Sequence, residues 1–359
     1  MLQVKATPKS KREDQLQFLR FLAFLNIFAL HADHWLWVRY PFWNGAVSAV
    51  SFFFILSGAM VGYNGYGKQR TVSLKSVGMH IWRKLCKLYP LYFLAVYASI
   101  LCSGLPGSLV SNDLAGAVPQ LKMLGRHLLL LQSWFPEGYF DYSGVGWYLS
   151  VTFFLYVLEF PLAALLGKMA GKRDSWAWFS GSMLLCVLGT AAYSYSTYSG
   201  DRHFWQYIFP PARIGQYFAG MILGYGIRSL KEKQLPVAGR KAAYTAVEIV
   251  VVMFWLLTLQ LPDESWHNRL LDWMLPNLLV IAVFLLGQGG ISTLFRWKPL
   301  VCLGDMSFGC YLFHQLLIHI FSVISDIQPF SRLGGLICAG ICLVGTLLFA
   351  FRLDRPAKK

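Results

Sequence analysis

Ten apolar runs, each close to twenty residues long, divide this chain, and that is the length an α-helix needs to cross the roughly 30 Å hydrocarbon core of a bilayer. Their spacing predicts spans over 16–38, 45–65, 85–104, 146–167, 176–198, 212–229, 243–261, 271–290, 304–325 and 333–353. A membrane β-barrel would show alternating segments of about ten residues instead, and none is visible. The fold class that follows is all-α, a polytopic membrane protein. Composition agrees, since 56% of residues are hydrophobic and only 14% are charged, far from the balance of soluble domains.

The net charge of +15 raises the question of nucleic acid, and the distribution of the charge answers it. If the N-terminus is cytoplasmic, all but seven of the 32 lysines and arginines fall on the inner side. The seven are Arg39, Lys122, Arg126, Arg202, Arg213, Arg269 and Arg332. Such a bias sets membrane orientation, and it predicts both termini in the cytoplasm and no nucleic-acid partner. The seven cysteines sit mostly inside apolar runs without CxxC spacing, so neither a disulfide framework nor a metal site is expected. Residues 1–15 read as a basic tail, and the apolar stretch behind them is too long for a signal-peptide core. The longest connection, 105–145, contains LKMLGRHLLLLQSWF, an interfacial amphipathic helix or a re-entrant piece, with the interfacial reading preferred. A single transmembrane domain over 1–359 is expected, without an appended soluble domain. No internal repeat is visible, which counts against a transporter built from two halves.

Within the first run, RFLAFLNIFALHADH places Arg20, His31, Asp33 and His34 in a stretch otherwise apolar enough to span. Ionisable residues cost about 2.5–3.5 kcal/mol each at mid-membrane on insertion scales, so they mark candidate sites. At about 100° per residue, Arg20 and His31 share a helix face and stand about 16 Å apart. Asp33 points elsewhere. In DMSFGCYLFHQ, Ser307, Tyr311 and His314 form one polar stripe on the ninth run, with His314 at the depth of His31. Ser57, in SFFFILSGAM, also falls near mid-membrane. On the inner side WRKLCKLYP offers Arg83, Lys84 and Lys87; on the outer side PPARIGQYFAG offers Arg213 and Gln216. Basic residues at inner helix ends also serve as topology signals and headgroup anchors, and Ser and His as ordinary interhelical hydrogen-bonding groups. Glu159 lies deep in the fourth run and requires a partner; His34, His319, Asp33, Glu248 and Asp272 read as structural or interfacial.

These landmarks resemble the acyltransferase-3 family of bacterial membrane acyltransferases. The resemblance rests on Arg20 and His31 with ten residues between them, FFILSG at 53–58, the basic block before Tyr89-Pro90, WYLS at 147–150, RIGQYFAG, SFGCYLFH and the closing DRP. They recur in family order across nearly the whole chain. Two positions depart from the family's pattern: Thr152 stands where a glutamate commonly follows Leu-Ser, and Gln216 where a glutamate is usual. Glu159 is a conjectural substitute for the first.

The resemblance implies an acyl-CoA donor, acetyl-CoA, and a hydroxyl of a glycan or lipid-linked glycan as acceptor, at the bacterial cytoplasmic membrane. Arg20, Arg83 and Lys87 are expected to meet the CoA phosphates as charge-assisted partners. His31 is expected to act as general base, since a neutral imidazole can take a proton from an attacking hydroxyl, with an acyl-histidine relay as the covalent alternative. Ser57, Tyr311 and His314 are expected to orient His31 or to donate to the oxyanion, and Arg213, Gln216 and Tyr311 to bind the acceptor. No metal is expected. Outer aromatics such as Trp134, Phe135, Tyr139, Phe140 and Tyr142 would stack on sugar rings or form an interfacial belt. The competing functional class is a proton-coupled transporter with His31, His314 and Glu159 as a relay; a third is a degenerate family member acting as an assembly partner.

Overall fold

The computed structural model describes residues 12–36, 45–67, 73–101, 114–170, 175–232, 240–259, 271, 273–327 and 331–353. The tail before Arg12, the side chain of His34, Asp272 and the DRP segment lie outside them. Among the described residues there are helices and no strands. In chain order they are α1 (Gln15–Leu36), α2 (Gly45–Gly65), α3 (Leu74–Leu101), α4 (Leu114–Leu128), α5 (Trp147–Ala170), α6 (Ser175–Ser196), α7 (Ile214–Glu232), α8 (Lys241–Thr258), α9 (Met274–Leu286), α10 (Gly290–Phe295), α11 (Lys298–Ile327) and α12 (Arg332–Leu353).

Each of the ten predicted spans coincides with one of these helices, and eight are long and apolar enough to cross a membrane. The exceptions are α7 and α9. The predicted span 271–290 shortens to thirteen residues, about 20 Å of helix, because Gly287 takes a left-handed φ of 64° and ends it. The chain then turns into α10, whose first N–H groups are capped from α8: the Glu248 carboxylate accepts from the backbone of Gly289 (3.0 Å), Ile291 (2.9 Å) and Ser292 (3.1 Å). A buried carboxylate at a helix N-terminus meets four unsatisfied donors and the positive end of the dipole, so Glu248 is structural. At its other end α3 begins at Leu74, well before the predicted 85, because the basic block is itself helical.

Burial separates an inner set of helices from an outer one. Of the spans, α2 is 72% buried whereas α3 is 17%; α6, α8 and α12 resemble α3 and present leucine, isoleucine and valine outward, as lipid requires. The tightest crossing joins α2 to α7. Gly58 and Gly62 of α2 lie against the Tyr217 and Met221 carbonyls, and Gly220 and Gly224 of α7 lie reciprocally against those of Ile55 and Ala59. Two small-xxx-small faces thus interlock backbone to backbone, which is how membrane helices associate where no hydrophobic force drives them together. Gly304 of α11 approaches the Gln17 backbone of α1 in the same way.

Polar side chains then staple the helices. Asn277 of α9 donates to the Ser48 carbonyl of α2 (3.1 Å) and accepts from the Trp255 indole of α8 (2.9 Å). Below α1, Glu13 receives the hydroxyl of Tyr63 at 2.5 Å and the ammonium of Lys231 at 3.3 Å. Burial alone would raise its pKa, but hydrogen bonds from Tyr63 and Gln15 and the Lys231 charge outweigh it and lower the pKa.

Because a Cβ at Gly58 would overlap the Tyr217 carbonyl, Gly58→Ala is expected to destabilise the protein by about 1–3 kcal/mol. Gly340→Ala on α12, where a Cβ meets nothing, should be neutral or stabilising by up to about 1 kcal/mol. Thermal unfolding of the two purified variants checks the contrast.

Candidate active site

Arg20 and His31 project from α1 towards α11 and α5. The Nδ1 of His31 lies 3.0 Å from the Nε2 of His314, so the two imidazoles placed at one depth by helical spacing are in contact. His314 is fully buried, and its own Nδ1 sits 2.8 Å from the Tyr311 carbonyl and 3.2 Å from that of Cys310. A carbonyl oxygen only accepts, so the His314 proton belongs on Nδ1. With both rings neutral, its Nε2 must accept and His31 Nδ1 must donate. The lone pair of His31 is thereby assigned to Nε2. Phe24 and Phe28 pack against the His314 ring at 5.6 and 6.3 Å and hold it in this orientation.

From this pair a polar column runs along α5 to the Arg20 end. Tyr311 faces Tyr148, ring centroids 5.4 Å apart. The Tyr148 hydroxyl interacts with Ser57 of α2 and with Thr152, and both it and Tyr156 lie in the field of Arg20. The Lys84 ammonium of α3 stands 4.5 Å over the Tyr156 ring and 3.9 Å from Glu159. Glu159 is completed by His80 at 3.0 Å. In WYLSVTFFLYVLEF, Tyr148, Thr152, Tyr156 and Glu159 recur at helical spacing, so this stripe was present as a signal that the motif-led reading passed over.

The sequence-derived candidates divide accordingly. His31, His314, Tyr311, Ser57 and Arg20 line one column. Arg83 and Lys87 are exposed on α3, and the basic block turns Lys84 inward in their place. Tyr311 donates its hydroxyl proton to the Val145 carbonyl at 2.9 Å, which commits that proton to the fold. Glu159 faces α3, about two helical turns from Thr152, so it does not stand in for a carboxylate there. Arg213 and Gln216 form a buried knot instead of an open mouth: Arg213 donates to the Tyr207 carbonyl (2.8 Å) and to Gln216 Oε1 (3.1 Å), and Gln216 donates to Ser51 of α2 (3.2 Å). The π-helix His203–Ile208, a form common at functional sites, aims that carbonyl at the guanidinium. Arg213 also lies over the Phe54 and Tyr207 rings.

The connection 114–146 folds back into the protein. After α4 it turns at Leu130, φ 56°, and continues with buried Gln132 and Ser133. Gln132 donates to the Gly146 carbonyl (2.9 Å), Ser133 to that of Trp147 (2.9 Å). The preferred interfacial reading therefore does not extend to the whole segment: Leu130, Gln132 and Ser133 are buried, while Leu129, Leu131 and Phe135 between and beside them are exposed. Trp134, half-buried, packs edge-on to Phe154 at 5.1 Å.

The acyltransferase-3 family, described as an acyltransferase domain, matches residues 13–353. This chain belongs to that family and is an acyl-transferring, multi-pass membrane enzyme. It is similar to the acyltransferase MdmB of Streptomyces mycarofaciens, with 26% identity over an alignment 340 positions long, gaps included, that covers 87% of this chain and 80% of that protein. No solved structure matches it. Family membership removes the transporter reading.

His127, outside the spans, anchors the folded-back segment by its Nε2, 3.0 Å from the Gly138 carbonyl. Burial pushes its pKa down, against opposing pulls from that carbonyl and from Asp141. A depressed histidine pKa contributes stability that is present above the ordinary value near 6.5 and is lost as pH falls through the folded value. Acidification from pH 7.5 to 5 is expected to raise hydrogen exchange across 126–147 severalfold after correction for intrinsic rates, and His127→Gln, which keeps an N–H donor, is expected to flatten the dependence.

Proposed function

We propose that the protein is a membrane O-acetyltransferase that moves an acetyl group from cytoplasmic acetyl-CoA to a hydroxyl of an exopolysaccharide or other surface glycan, free or lipid-linked. The bacterial cytoplasmic membrane, with ten spans and both termini inside, is the matching location. The observation that carries the reading is the His31–His314 contact, whose hydrogen-bond pattern leaves the His31 Nε2 as the basic nitrogen.

In this reading the CoA phosphates meet Arg20 and Lys84, with the exposed Arg83 and Lys87 as an outer rim, and the pantetheine arm follows Tyr156 and Tyr148 inward. The acceptor hydroxyl gives its proton to His31 Nε2 as its oxygen attacks the thioester carbonyl. As His31 becomes an imidazolium, its Nδ1–H bond to His314 becomes charge-assisted, which stabilises the developing charge without moving a proton off His314. Collapse of the tetrahedral intermediate breaks the carbon–sulfur bond, and the CoA sulfur takes the proton back from Nε2. His314 is a positioning residue in this scheme. Ser57 and Tyr148 lie beside the path of the thioester, and Arg213 with Gln216 would shape the acceptor side.

Purified protein in proteoliposomes, given acetyl-CoA and a glycan acceptor, is expected to release CoA thiol in step with acetylation. His31→Ala should lower kcat by about 10²–10⁴-fold while the protein stays folded and inserted. Arg20→Gln should act mainly by raising the KM for acetyl-CoA. Near-normal transfer by His31→Ala would remove the mechanism.

A further inference from the structure

On the side of the protein away from the imidazole pair, α5, α6 and α7 enclose an elongated groove of about 690 Å³, within the size range of ligand sites. Leu165, Met169, Leu185 and Phe218 make its walls apolar; Gly189 leaves open space on its lining, and Gly215 lets α7 approach Thr190 of α6 closely. The groove opens sideways: Leu184 and Leu188, its neighbours on α6, are 57% and 56% exposed. A site that opens laterally between spanning helices is filled from the bilayer.

One end is marked by Lys168 and Trp178, the other by Thr190 and Tyr193. Lys168 is exposed and forms no ion pair with any described residue. A tryptophan beside a lysine at a helix end places that end at headgroup level. From Trp178 to Tyr193 the helix rises about 22 Å, longer than the roughly 15 Å half-thickness of the hydrocarbon core. We propose that the groove binds an anionic phospholipid, its hydrocarbon chain lying along the apolar trough and its headgroup charge meeting the Lys168 ammonium. The same trough is floored by Pro211 and Ala212, on the turn Pro210–Arg213, so the lipid backs the segment that carries the buried arginine. The assignment is independent of the acyl donor and acceptor.

The test uses the full chain in vesicles of phosphatidylglycerol and phosphatidylcholine, with a trace of either lipid carrying a photoactivatable group near its chain end, and peptide mapping of the crosslinks. The phosphatidylglycerol probe is expected to label groove residues of α5, α6 and α7 above the lipid-facing surfaces of α8 and α12, with about a fivefold preference over the phosphatidylcholine probe. Lys168→Gln should abolish that preference. Gly189→Phe, at a position where a Cβ meets nothing, should fill the groove and bring labelling down to the level of α8 and α12. Gly181→Phe, equally open but not a groove residue, should leave labelling unchanged and shows that a bulky residue on α6 is tolerated. Even labelling of all outer helices, or groove labelling that survives Gly189→Phe, would overturn the site; equal labelling by the two probes in the unaltered protein would overturn the headgroup assignment.

Discussion

The contact of α2 with α7 through Gly58, Gly62, Gly220 and Gly224 sets the position of nearly everything polar in the interior. At this distance the two helices share backbone surface, and any slip along their axes drives a Cα into a carbonyl. With α2 fixed, Ser51 meets Arg213 and Gln216 on one side and Ser57 meets Tyr148 on another. Lipid supplies no hydrogen-bond partner, so each of these groups depends on the neighbouring helix being in register. Close packing is therefore a condition for the polar column, and the glycines are as much a part of the site as the side chains that line it.

Much of this was legible in the sequence. Apolar run length gave the helices, and helical spacing gave the shared depth of His31 and His314. The run-length argument overran the end of α9, since Gly287 stops the helix within 271–290 and hydropathy is blind to a left-handed turn. The same argument missed the α2–α7 interlock even though G-x-x-x-G occurs in both runs, because it weighs how apolar a residue is and ignores how small.

Side-chain direction was harder to read than depth. The basic block WRKLCKLYP contains three cations within five positions, and only the packing of α3 against α5 decides that Lys84 turns inward while Arg83 and Lys87 stay exposed. A buried carboxylate makes that choice, since Glu159 must find cations or donors and His80 and Lys84, one turn apart, are the two that share its side of α3. Arg213 shows the converse. Its place at the start of an apolar run suggested an open entrance, yet the π-helix and the aromatic rings enclose it.

The imidazole pair rests on the contact of α1 with α11. His314 is oriented by carbonyls three and four residues back on its own helix, bonds that no pattern of residue types reveals, since every residue carries a carbonyl. His31 and the Phe24 and Phe28 rings that pack on His314 come from another element, α1. The chemistry thus depends on the register of α1 against α11, which is pinned at one end by Gly304 on the Gln17 backbone and by the ion pair of Arg12 with Asp305. A slip of one helical turn, about 5.4 Å, would separate the rings entirely. Stabilising contacts at the basic end of the bundle and proton transfer deep within it are, in this fold, two consequences of the same alignment of helices.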